Sequence, residues 1–197
     1  MLLVEICGSL VALGYIFLTI YEDNRCWYFA VLSSIIFAYI FFQAELYFES
    51  VLQWVFVVLS IRGAISWNSG KTREEPLIPR WMSYKERLTD GAFCIVGTLS
   101  LTAIAYSISV SRSISISIPP VVAYLDAFIT VGSVVATIQA TRKATESWLS
   151  WICVDLLASG LYVYKKLYIT AFLYSIYTLL AVYGLNKWRA KKRSLWP

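Results

Sequence analysis

The sequence contains no histidine, and its four cysteines (Cys7, Cys26, Cys94, Cys153) are scattered without a C-x-x-C pair. A zinc site of ordinary spacing and a Ser-His or Cys-His nucleophile are therefore excluded, and no metal is expected. The commonest proton-relay residue of coupled transporters is missing too, which leaves such a role to carboxylates. No G-x-x-x-x-G-K-[ST], G-x-G-x-x-G or H-E-x-x-H motif occurs. ATP-driven transport by this chain alone is thus unsupported, and no cofactor is implied. Carboxylates are isolated rather than gathered into a reactive set, so no catalytic residues are expected and the chain does not read as an enzyme. Charge itself is scarce: 15% of residues are charged and 59% hydrophobic, where soluble domains run at about 25% and about 45–50%.

What is present in quantity is long apolar runs. A membrane-spanning helix needs roughly 20 such residues. Seven runs qualify, at about 2–21, 27–43, 47–67, 88–109, 121–141, 147–164 and 167–188. The first follows Met1 directly, carries Glu5 and lacks a basic leading segment, so it reads as a mature helix rather than a signal peptide. The polar stretch 68–87 reads as a loop, "SRSISISIPP" as a linker, and "NKWRAKKRSLWP" as a basic tail. The fold class is an all-α polytopic membrane protein.

The net charge of +5 flanks the apolar blocks, which indicates membrane orientation rather than nucleic-acid binding. With the N-terminus on one side, the opposite side receives fourteen Lys and Arg residues. The N-terminal side receives three, Arg112, Lys165 and Lys166. The positive-inside rule then places the N-terminus outside and the C-terminus in the cytoplasm.

The chain also repeats itself. At a shift of 121 residues, without a gap, Trp27 meets Trp148, Leu46 meets Leu167, Tyr47 meets Tyr168, Gly63 meets Gly184 and Trp67 meets Trp188. Glu5 meets Asp126, acid for acid. Two three-helix repeats, 1–67 and 121–188, are expected, joined by 68–120 with its additional helix and followed by the tail 189–197. Three helices end opposite to where they began. The fourth returns the chain, so the repeats run parallel about an axis along the membrane normal. This 3+1+3 arrangement favours a substrate site on that axis near the midplane.

One stretch stands out, "ESWLSWICVDLL". On a helix, Trp148, Trp151 and Asp155 share a face. An Asp deep in a spanning helix costs about 2.5–3.5 kcal/mol and should face the protein interior or water. A ring within about 6 Å of a desolvated cation contributes about 2 kcal/mol. Micromolar binding needs roughly 8 kcal/mol, so polar contacts must add to the tryptophans. Gln53, Tyr174 and Tyr177 suit ribose hydroxyls or an amide, or alternatively bonds between helices. Thr130 shares a rough face with Asp126 and Thr137. Ser60, Gly63, Ala181 and Gly184 read as close helix packing. Trp148 has a twin in Trp27, which makes the pair scaffold or interfacial belt. Trp151 and Asp155 face Ala30 and Ser34 across the repeat, so an asymmetric ligand would be held at this unshared pair.

"WLSW" after Glu146, "EDNRCW", "LYFESVLQ", "GAISW" and "LYVYKKLYITAFLYSIYTLLAVYGLNKW" together resemble the PnuC family of vitamin transporters, best over 21–67 and 139–188. The family commonly has W-P-x-G at the start of the second helix, where this chain has "WYFA". The resemblance implies a fold similar to an enlarged SWEET transporter, often a homotrimer, in the bacterial inner membrane. It implies facilitated diffusion of nicotinamide riboside with trapping by a cytoplasmic kinase. Thiamine, another cationic aromatic, is the alternative substrate, and a non-transporting membrane subunit or receptor the alternative class.

Overall fold

The computed structural model describes residues 2–43, 47–69, 77–111 and 120–195. They form seven helices: α1 (Leu2–Ile20), α2 (Cys26–Gln43), α3 (Tyr47–Ser69), α4 (Tyr84–Ser111), α5 (Pro120–Thr141), α6 (Glu146–Tyr164) and α7 (Tyr168–Leu195). Every one is long and apolar enough to cross a membrane. Large apolar side chains lie exposed along them, Ile169 at 88% and Phe172 at 68%, as lipid-facing helices require. Helix α4 stands apart, with 6% of its span buried where the other six have 17–39%.

Two boundaries differ from expectation. Helix α4 begins at Tyr84 rather than near Leu88, because "SYKE" is a capping box. The Ser83 N–H donates to Glu86 Oε2 at 2.8 Å and the Glu86 N–H to Ser83 Oγ at 3.3 Å. Helix α7 runs on to Leu195 through the basic tail, since Lys and Arg are good helix formers and suit the negative end of the helix dipole. Pro120 opens α5, where its missing N–H costs nothing. The linker residues 112–119, the loop residues 70–76 and Leu46 lie outside the described residues, and with them Lys71, Arg73 and Arg112.

The chain forms two compact units. The first comprises Met1–Arg80, Thr137–Thr145 and Tyr183–Pro197. Within it α2 packs against both α1 and α3. Trp27 is 1% exposed, with its ring 5.4 Å from Trp67 and 6.1 Å from Tyr15. Gly63 makes room for it, since a Cβ there would stand 2.5 Å from the Trp27 ring. Ser50 Oγ ties α3 to α2 by donating to the Ala38 carbonyl at 2.9 Å. Asp23 receives the Arg25 N–H at 2.9 Å ahead of α2, and its carboxylate raises the Arg25 guanidinium above its ordinary value.

The turns after α1 and α5 are built alike. After α1, the Glu22 N–H reaches Thr19 O at 3.0 Å and the Asp23 N–H reaches Leu18 O at 3.0 Å. After α5, the Lys143 N–H reaches Ala140 O at 3.0 Å and the Ala144 N–H reaches Gln139 O at 3.0 Å. Both are Schellman ends, and each bond is displaced from its counterpart by the sequence shift of 121. The left-handed position, usually glycine, is held by Glu22 (φ 57°) and Lys143 (φ 50°). The α6–α7 turn repeats the geometry at Lys166 (φ 60°).

The second unit comprises Trp81–Ala136 and Glu146–Val182. Gly132 of α5 lets α6 approach, as a Cβ there would sit 2.8 Å from Val154. Ser159 Oγ donates to the Ala171 carbonyl at 3.0 Å and pairs with Ser175 Oγ at 3.0 Å, fastening α6 to α7. Positions 159 and 171 are the counterparts of 38 and 50. Each hairpin therefore carries the same Ser–Ala link with the donor moved to the other helix.

Candidate functional site

Helix α6 is anchored at its first turn. The Glu146 carboxylate receives the Met82 N–H on both oxygens at 3.0 Å and pairs with the Arg87 guanidinium at 2.8 Å. A carboxylate in this position also complements the positive end of the helix. That anchor fixes the rotation of the helix that carries the candidate residues. Trp148 is 4% exposed and Trp151 half-buried.

One turn beyond Trp151, Asp155 is 4% exposed, yet its carboxylate has no hydrogen bond or ion pair among the described residues. A carboxylate withdrawn from water without a partner is costly unless something charged or hydrogen-bonding meets it. Its polar company comes from α7, where the hydroxyls of Tyr174 and Tyr177 lie within electrostatic range. The three tyrosines form a ladder. Tyr162 and Tyr174 stand 5.2 Å apart at 42°, Tyr174 and Tyr177 5.6 Å apart at 64°. The result is a wall of π faces and hydroxyls beside a bare carboxylate, suited to a planar cation that carries hydroxyl groups.

The sequence-predicted residues thus divide by place. Trp148, Trp151, Asp155, Tyr174 and Tyr177 belong to the second unit on α6 and α7. Thr130, half-buried on α5, belongs to the same unit and makes no side-chain hydrogen bond among the described residues. Gln53, half-buried on α3, and Trp27 belong to the first unit. Ser60, Gly63, Ala181 and Gly184 are buried, as close packing requires. Asp126 is 63% exposed, with Lys165 at 3.9 Å. Two residues escaped the sequence reading. Tyr162 lies seven positions beyond Asp155 and so on its face, a spacing that could have found it. Glu146 was noted only as preceding "WLSW", and its anchoring role depends on a loop far away in sequence. No metal-binding cluster exists among the described residues.

Seven helices of spanning length, with a buried carboxylate on α6 and a tyrosine ladder on α6 and α7, define a multi-pass membrane protein. The chain belongs to the nicotinamide mononucleotide transporter family, the PnuC family, whose model matches residues 2–190. It is 26% identical over 201 residues to the nicotinamide riboside transporter PnuC of Escherichia coli (strain K12), covering 94% of this chain and 84% of that protein. It is 27% identical over 143 residues to the riboflavin/roseoflavin transporter RibM of Streptomyces davaonensis, covering 72% of this chain and 63% of that one. The crystal structure of the vitamin B3 transporter PnuC has the same fold, with a TM-score of 0.67 and 21% identity over 93% of this chain and 79% of that chain. The family is one of membrane transporters, not of enzymes.

Proposed function

We propose that the chain is a passive transporter of nicotinamide riboside in the bacterial inner membrane, with trapping by cytoplasmic phosphorylation. The observation that carries this reading is Asp155, buried and unpaired beside Tyr174 and Tyr177. A pyridinium supplies the missing positive charge, and Trp151 the π face for it. Tyr174 and Tyr177 hold ribose or carboxamide, while Trp148 and Thr130 shape the surroundings. The same carboxylate disfavours the uncharged flavin ring named for the Streptomyces relative and leaves thiamine, a second cationic aromatic, as the competing substrate.

The parallel 3+1+3 arrangement of repeats 1–67 and 121–188 belongs to this reading. Two contacts between repeat counterparts support it. Glu22 pairs with Lys143 at 3.1 Å, and the Trp67 and Trp188 rings lie 6.3 Å apart. Under two-fold pseudosymmetry a residue meets its own counterpart only near the axis. Rocking of the repeats about the substrate would alternate access. The Lys and Arg distribution supports an N-terminus on the outside, and the family resemblance supports a homotrimer.

The test is uptake of labelled nicotinamide riboside and of thiamine into proteoliposomes loaded with the matching kinase and ATP. Accumulation of the riboside, and not of thiamine, is expected. Binding without flux would favour a receptor or subunit, and accumulation of thiamine alone would replace the substrate.

A further inference from the structure

Glu22 and Lys143 hold left-handed backbone positions that a glycine would occupy without strain. A strained position retained by a charged residue points to a use for that side chain. Both side chains are withdrawn from solvent, at 9% and 11% exposed, and Glu22 is held from both sides, by Lys143 at 3.1 Å and Lys191 at 2.7 Å. The Lys143 ammonium also lies 4.6 Å from the centroid of the Trp67 ring. Trp67 in turn donates its indole N–H to the Ala140 carbonyl at 3.1 Å. Around it stand Trp27 and Trp188, with all three rings 1–3% exposed. Opposite charges at equivalent positions are what allow the two turns to meet on an axis, since like charges would repel there.

We propose that the Glu22–Lys143 pair, with the Trp27–Trp67–Trp188 cluster, is the cytoplasmic gate of the transport path, closed in this structure. The inference rests on the transporter reading, in which the path follows the pseudo-axis. Anything seated on the axis blocks it. The contacts are suited to opening, because Glu22 retains Lys191 and Lys143 retains the Trp67 face when the pair separates. Neither charge is then left bare, which keeps the closed and open states close in free energy.

Two measurements test this. The first needs no substrate. In a chain with its native cysteines replaced, Ser60→Cys, buried on α3, is labelled from the cytoplasmic side by an impermeant maleimide. Adding Lys143→Met should raise the labelling rate several-fold. An unchanged rate in folded protein overturns the proposal. The second uses Glu22→Cys with Lys143→Cys and a short reversible thiol cross-linker. Flux should fall by about tenfold or more, because a carrier unable to open inward completes no cycle, and recover on reversal. Full flux in the cross-linked protein also overturns the proposal. Should the protein move neither vitamin while Lys143→Met still raises labelling, the gate stands and the substrate reading fails.

Discussion

The two hairpins α2–α3 and α6–α7 are copies of one another in framework and opposites in chemistry. Each carries a Ser–Ala link between corresponding positions, from Ser50 to Ala38 and from Ser159 to Ala171. At the same shift, however, Ala30 becomes Trp151, Ser34 becomes Asp155, Phe41 becomes Tyr162, Gln53 becomes Tyr174 and Phe56 becomes Tyr177. The first hairpin uses its interior for packing, as the fit of Trp27 against Gly63 shows. The second carries an indole, a carboxylate and hydroxyl-bearing rings where the first has alanine, serine, phenylalanine and glutamine. Duplication gives a symmetric frame, whereas a ligand with one charged end needs an asymmetric lining. Here the asymmetry is concentrated in the second copy.

Seven substitutions probe that division. Trp27→Ala should have the largest effect and act on stability. Removing a fully buried Trp costs about 3–5 kcal/mol, visible as early thermal unfolding in detergent, with the preference among vitamins unchanged. Asp155→Asn should cost about 2–5 kcal/mol of affinity for a cationic substrate with little change in unfolding, whereas Ser34→Ala, its counterpart, should leave affinity intact. Comparable affinity losses at both positions would dissolve the contrast between the copies. Trp151→Ala should weaken binding by about 2 kcal/mol, near thirtyfold, measured by titration calorimetry, and Ala30→Gly should not. Smallest are Ser50→Ala and Ser159→Ala, at about 1 kcal/mol each. Similar losses in denaturation would confirm that the two links do the same work.

The frame was legible in the sequence because its causes are local. Apolar runs of spanning length give the seven helices. Asp155 could be singled out because a carboxylate in a spanning helix is too costly to be incidental. The early start of α4 was also written locally, in "SYKE", but lay inside a polar stretch that read as loop. What could not be read from sequence are interactions set by tertiary approach. The Glu146 grip on Met82 and Arg87 is one, and the meeting of Glu22 with Lys143 is another. Tyr162 was missed for a different reason, since a tyrosine near a helix end looks like an interfacial belt.

The central claim is that the charge of Asp155 makes the second copy the recognition half. It is tested most directly by titrating purified protein with nicotinamide riboside and with its reduced, uncharged dihydro form. The wild-type chain should bind the cation at least about tenfold more tightly, and Asp155→Asn should abolish that preference. A preference that survives in Asp155→Asn would contradict the account.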